Sequence, residues 1–474
     1  MTAKERVPWW LVWLAYIVLV AFTTVHHEPW RDEAQAWLIA RDLPLPDLFA
    51  QMAYEGSPAL WHLLLVPFAK LGAPYALMAA VHAALAVAAV GLLLARGPFP
   101  LWLEALLAFS FYLSYEYAAV ARNYNLSLLL LCGLAVLHAT RLARPMAYAV
   151  LVALLSNTNV HSLALAAGLA LWFAVDARHA LFGRARLIGA LVIMAAGVAA
   201  AVAQLAGADR NAMVGAGFHF DPAAPLIATR NAWLPGLPGA TMPIAGAVML
   251  LVASVLWRWS RPALWVLIAG VGGLYAIFAF KHAGDLRHHG LILVFTVFAL
   301  WLSWESLGVE GARRWRRALL VALGLTLVAG LPFSVQRHVA EARGMFSGAA
   351  AMATWIAEAG LGERLVVAHP SAEASALLPY LPDKQLWYAD VGAFATFVTW
   401  DERYADNRFI AATEAARRAE GAPGWGPGAL LLVTAPLPEA ARLGLRLRHQ
   451  VRDEVFTELG ERYYLYERVA QSPP

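Results

Sequence analysis

The sequence predicts a mainly α, polytopic membrane protein with a C-terminal extracytoplasmic α/β domain, and three observations lead there. Of the 474 residues, 61% are hydrophobic and only 14% are charged, proportions foreign to water-soluble globular domains. Apolar runs near the roughly 20 residues that cross a bilayer recur over residues 1–336. Residues 337–474 are richer in charge and break into short apolar pieces bounded by Pro, Gly and charged side chains.

Taken in order, the apolar segments fall at roughly 8–25, 73–95, 100–120, 124–140, 145–160, 162–178, 187–206, 241–258, 262–281, 289–306 and 317–335, about eleven spans. The first joins a basic head, "MTAKERVPWW", to the long apolar body "LVWLAYIVLVAFTTV". No small-residue cleavage site follows, so it is read as an uncleaved spanning helix. The piece "SPALWHLLLVPFAKLG", Ser57–Gly72, is short and interrupted by Pro67, so it is read as a re-entrant or interfacial helix that does not cross. The single cysteine, Cys132, lies inside an apolar run and is read as packing. The net charge of +4 comes from short basic clusters between spans, which report orientation, so no nucleic-acid partner is expected.

Those clusters alternate. With Lys4 and Arg6 inside, the inner loops carry Arg96, Arg141 with Arg144, Arg178 with Arg184 and Arg186, Arg258 with Arg261, and "RRWRR" at Arg313–Arg317. The outer loops then hold "HHEPWRDEAQAWLIARD", "SYEYAAVARNYN", "SNTNVHS", "ADRNAMVGAGFHFDPAAP" and "KHAGDLRHHG", and everything after about Gln336 lies outside. The expected location is a plasma (inner) membrane with a cytoplasmic N-terminus. In the C-terminal domain "ERLVVAHP", "DKQLWYAD", "GALLLVTAP" and "ERYYLYERV" read as strands and "GAAAMATWIAEAG" as a helix. No glycine-rich phosphate loop opens a helix there.

The polar groups able to do chemistry thus converge on one face. Asp32 and Glu33 begin "DEAQAWLIARD", whose Ala36, Trp37, Ile39 and Ala40 suit a helix lying at the membrane surface. Acids at a helix N-terminus are often no more than complements to the macrodipole. Here the same face also carries Arg122, Lys281, Arg287 and several histidines, and charge near spans is costly enough to mark function.

In these residues the chain resembles the GT-C type polytopic glycosyltransferases, which take a sugar from a polyprenyl-phosphate donor on the outer face and include protein O-mannosyltransferases and lipid A aminoarabinose transferases. "WRDEAQAW" is similar to the family's acidic pair in the first outer loop. "YEGSPALWHLLLVPFAKLG", headed by Tyr54, is similar to its Pro-rich juxtamembrane segment, and "ARNYNLSLLLL", with Arg122 and Tyr124, to its Arg-x-Tyr at the start of a later span. The chain departs from the commonest pattern in having Gly56, Ser57 and Pro58 where members often show His-Pro-Pro.

The resemblance implies a membrane glycosyltransferase with Asp32 as general base, and Glu33 as its alternative or partner. Glycosyl transfer from a lipid phosphate needs a base for the acceptor hydroxyl, stabilisation of an oxocarbenium-like transition state, and cations for the leaving phosphate. A single displacement with inversion needs one carboxylate. Arg122, Lys281 and Arg287 are the phosphate candidates, with Tyr54, Tyr124 and His288 as further substrate contacts. Arginine at a span end also serves as an anchor whose stem lies along lipid, and tyrosines near spans suit an aromatic belt.

His26, His27, His161, His219, His282, His288 and His289 also fall outside and, with the acids, offer donors for a divalent metal. No His-x-x-x-His or similar tight spacing appears, so no metal ligand is assigned; no cofactor is certain, and a divalent metal stays open. Glu116 reads as an ion-pair partner for Arg122. The expected acceptor is a glycan, a lipid or a protein, three classes that look alike in sequence. The competing reading is a multi-span transporter of a lipid or polar solute, which would place its ionisable groups near the bilayer midplane on broken helices.

Overall fold

The computed structural model describes residues 8–178, 184–207, 210–213, 220–452 and 455–470. Lys4, Arg6 and His219 lie outside that set. The chain begins with α1 (Trp9–His26), followed by three short helices, α2 (Arg31–Asp42), α3 (Leu45–Glu55) and α4 (Leu60–Lys70), before α5 (Ala76–Arg96). Then come α6 (Leu101–Ala108), α7 (Tyr124–His138), α8 (Pro145–Ser156), α9 (Val160–Ala177), α10 (Ala185–Leu205), α11 (Ala224–Trp233), α12 (Met242–Trp259), α13 (Arg261–Leu267), α14 (Gly273–Phe280), α15 (Leu286–Ser303) and α16 (Arg313–Arg343).

Eight helices among the described residues are long and apolar enough to cross a membrane. They correspond to eight of the eleven predicted segments. The other three differ because their helices stop early. Residues 100–120 break after Ala108 and continue through a widened turn at Tyr112–Glu116. α7 and α8 have 15 and 12 residues, about 22 and 18 Å at 1.5 Å per residue, against the roughly 30 Å of a hydrocarbon core. α4, with Pro67 inside its 11 residues, is shorter still.

The long helices show two faces. On α1, Tyr16, Val20 and Thr23 are buried while Leu11, Leu14, Val18, Phe22 and Val25 are exposed. On α16, Val321, Leu325, Val328, Val335 and Val339 form a similar exposed stripe at helical spacing. Apolar rows turned away from the protein are stable against lipid, where all backbone groups are satisfied within the helix. α15 lies between its neighbours, with every residue from His289 to Thr296 buried.

The C-terminal part builds a six-stranded mixed sheet of order β3-β2-β1-β4-β6-β5. β1 (Val366–His369) pairs in parallel with β2 (Leu386–Tyr388) and β4 (Leu430–Val433). β6 (Tyr463–Arg468) pairs antiparallel with β4 and with β5 (Leu445–Val451), and β3 (Ala393–Ala395) with β2. The four strands read from sequence are all present, and "GAAAMATWIAEAG" forms α17 (Ala349–Glu358). The two strands not read, β3 and β5, are the edges. β3 has three residues, and β5 exposes Arg446 and Arg448, the charged pattern that edge strands carry against mispairing.

α2 is interfacial in a strict sense. Ala34 and Leu38 pack with Met352, Leu377 and Tyr388 of the sheet domain, while Ala36, Trp37 and Ala40 pack with Trp61, Leu65 and Met78 of the membrane part. Every residue from Glu33 to Ala40 is buried, as expected of a helix with partners on all sides. If the basic clusters set the topology, a reporter joined after Arg343, where α16 ends, will be active only outside the cytoplasm. Cytoplasmic activity there would invert the assignment of every loop.

Candidate active site

The site starts at the exit from α1. That helix closes with the His27 N–H on the Thr23 carbonyl, 2.9 Å, and three residues later Trp30 caps α2. Glu33 at the third helical position reaches back to the Trp30 N–H, 3.1 Å, one half of a capping box. Its carboxylate also accepts from the His27 Nε2, 3.0 Å, and from the Ala121 N–H, 2.6 Å, across 88 residues of sequence. His27 Nδ1 in turn meets Glu341 of α16 at 3.1 Å, and the Tyr115 hydroxyl donates to the same oxygen at 2.6 Å.

Glu33 is therefore wholly enclosed, 0% exposed, with donors on both oxygens. Burial pushes its pKa up, but the His27 charge and the hydrogen bonds from His27, Ala121 and Trp30 win and hold it below the usual carboxylate range. Burial likewise pulls His27 down, and Glu33 and Glu341 overcome that to hold it well above the usual imidazole value.

Asp32 points the other way. Its side chain, 22% exposed, lines a cavity of about 480 Å³. Arg122 pairs with it directly, Arg287 Nη1 lies 3.4 Å away and Arg31 Nε 3.9 Å. Burial raises its pKa, and the charges of Arg122, Arg287 and Arg31 outweigh this to lower it. Three guanidinium groups converge on one carboxylate, two of them shared with Glu373 and Asp285, and such forked donors also suit an anion. Arg287 and Arg31 also sit over the Trp30 ring at 4.8 and 5.0 Å.

The predicted Glu116–Arg122 pair is not formed. Arg122 goes to Asp32, and Glu116 faces a second cavity of about 240 Å³ together with Arg287, Arg337 and Glu458. Arg287 thus borders that cavity and pairs with Asp32 of the first. Tyr124, 4% exposed, is buried among Tyr117, His161 and His288. Tyr54 offers its backbone carbonyl to the side-chain amide of Asn211. His288 Nδ1 accepts the Asp285 N–H at 2.8 Å. Neither they nor Lys281 line either cavity.

Several cavity residues escaped the sequence reading. Glu55 of α3 accepts from Gln35 and Gln51 at 2.8 and 3.0 Å, and burial pushes its pKa up to about 6 against those bonds. Arg31, beside the acidic pair, also bridges to Glu373 of the sheet domain at 2.7 Å. Trp400, Tyr404 and Arg408 close the cavity from that domain. Only Arg31 had a signal, its adjacency to Asp32; the others are brought in by the fold.

Removing the Glu33 charge tests the clamp. Breaking a buried pair from one side costs about 3–5 kcal/mol, so Glu33→Gln should lower the thermal midpoint of the detergent-solubilised protein sharply. Glu33, with its pKa depressed below 4.5, contributes stability that is complete above that value and lost as pH falls through the lowered one. His27, raised above 6.5, contributes stability complete below that value and lost as pH rises through the raised one. The deficit should therefore be fully expressed between about pH 4.5 and 6.5; an equal midpoint for both proteins in that window would remove the clamp.

No protein-family model matches the chain, and no curated protein matches it either. Among solved structures, it is similar to the crystal structure of ArnT from Cupriavidus metallidurans bound to undecaprenyl phosphate, with a TM-score of 0.55 and 14% identity over 99% of this chain and 100% of that one. At that identity the likeness is one of architecture: the chain has an ArnT-like fold, a polytopic helical membrane part joined to a C-terminal domain, as the resemblance to GT-C glycosyltransferases implied.

Proposed function

We propose that the chain is a membrane glycosyltransferase that moves a sugar from a polyprenyl-phosphate donor to an extracytoplasmic acceptor by a single inverting displacement, with Asp32 as general base. The observation that carries this reading is Asp32 itself, a carboxylate facing a cavity and ringed by Arg31, Arg122 and Arg287. The likeness to a structure that holds undecaprenyl phosphate supports the donor class.

A carboxylate held low by arginines is a weak base while it is alone with them. A donor phosphate changes that: it competes for Arg122 and Arg287, and each hydrogen bond they give to phosphate oxygen is one withdrawn from Asp32. Asp32 gains basicity as the donor binds, and takes the acceptor proton while the same guanidiniums stabilise the departing phosphate. Glu33 takes no proton in this scheme. It holds Ala121, and with it the neighbouring Arg122, against α2.

Asp32→Asn keeps size but removes the proton acceptor, so transfer from a purified polyprenyl-phosphate sugar should fall by about 10²- to 10⁴-fold, with folding intact. Near wild-type transfer would leave the acid a helix-terminal charge. Arg122→Ala or Arg287→Ala should raise the donor concentration needed by about ten- to a hundred-fold, the equivalent of a charge-assisted hydrogen bond of roughly 1.5–3 kcal/mol. Unchanged donor dependence in both would remove these arginines from the phosphate.

A further inference from the structure

We propose that His282, Asp285 and His288, with His161 beside them, form a binding site for a divalent metal of the borderline class, zinc foremost. One donor atom from each of the first three lies within 4.8 Å of the others. The three are spaced His-x-x-Asp-x-x-His across the loop that joins α14 to α15. Asp285 caps α15 and His288 takes its third helical position.

The loop is shaped to bring them together. Gly284 has φ +78°, and a Cβ there would come within 2.9 Å of Phe278 Cε1 and 3.2 Å of His289 Nε2. Only glycine combines that conformation with so close an approach. The turn folds His282 back so that its ring centroid lies 5.6 Å from that of His288, at 90°. His288 Nδ1 accepts the Asp285 N–H at 2.8 Å, which fixes the ring and leaves Nε2 for an ion.

His161 supplies an independent observation. It is 8% exposed, its ring centroid lies 5.0 Å from that of His288, and its Nδ1 has no hydrogen-bond partner among the described residues. A buried imidazole nitrogen without a partner is uncommon; His161 stands outside the three-donor group, so a water ligand of the bound ion, rather than the ion itself, is what would satisfy it. Imidazole with carboxylate is a donor set for zinc and its neighbours rather than for calcium or magnesium. Zinc ligation at about 2.0–2.1 Å asks the donors to close in by only an ångström or so; the His282 side chain is exposed, and Asp285 is already held toward His288 as the cap of α15.

The site also touches the cavity chemistry. Arg287 Nη2 lies 3.3 Å from Asp285, while its Nη1 lies 3.4 Å from Asp32. A metal that takes the Asp285 carboxylate frees Arg287 for Asp32 and for the donor phosphate. This link to the cavity rests on the transferase reading; metal binding itself does not.

The test uses the full chain in detergent, purified without a histidine tag, stripped of metal and titrated with Co²⁺ while visible d–d absorption is followed, then displaced with Zn²⁺. One ion per chain is expected. His282→Ala and His288→Ala should each weaken it by about tenfold or more, His161→Ala should alter the absorption band, and His26→Ala, at the end of α1, should bind as wild type does. Should His288→Ala fail to fold, His282→Ala decides, because that side chain is exposed on the loop. Absence of saturable one-to-one binding, or unchanged affinity in His282→Ala, would overturn the site. Sugar transfer that depends on Asp32 would stand or fall separately.

Discussion

The interaction on which the rest depends is the buried carboxylate of Glu33. It accepts from His27, from Trp30 and from Ala121, and through His27 it is tied to Glu341 and Tyr115. Those bonds join the ends of α1 and α16, the start of α2 and the loop before α7. A charge in so dry a place is tolerable only when its hydrogen bonds are complete. The clamp therefore fixes the geometry of several elements at once. Adjacent residues on a helix point in different directions, so enclosing Glu33 turns Asp32 outward to the cavity, where Arg122 follows directly after the clamped Ala121.

The second consequence is a division of labour between the two acids. Both carry depressed pKa values, yet from different sources: Glu33 from an imidazolium and backbone N–H groups, and Asp32 from guanidinium groups that it shares with solvent. The partners of Glu33 are fixed by packing. Those of Asp32 sit on long side chains bordering cavities, where the donor phosphate of the proposed reaction would compete for them. The sheet domain takes part as well, since Glu373 holds Arg31, and Trp400 and Tyr404 line the same cavity as Asp32.

Much of the architecture was legible because it is written in composition and periodicity. The long spans declare themselves by apolar length, and β1, β2, β4 and β6 by short apolar runs between turn residues. What was hidden depends on contacts distant in sequence. The break after Ala108 and the shortness of α8 leave no mark on hydropathy. Of the site, Asp32, Arg122 and Arg287 were found because charge beside a span is rare, and the structure brings these three together. Lys281 met the same test, and Tyr54 and Tyr124 came from the resemblance, yet none of the three lines either cavity, since proximity to a span end says nothing about side-chain direction. Glu55 and Trp400 sit in stretches with ordinary composition, and only tertiary packing carries them to the cavity.

The central claim is that one cavity-facing carboxylate, Asp32, drives a single displacement at the anomeric carbon of a lipid-phosphate sugar. The anomeric configuration of the transferred sugar tests it most directly, compared by NMR with that of a polyprenyl-phosphate donor of defined configuration, using the full-length protein and a membrane extract as the acceptor pool. The account predicts an inverted product. Retention would require a covalent intermediate or a second carboxylate in contact with the sugar, and would contradict it.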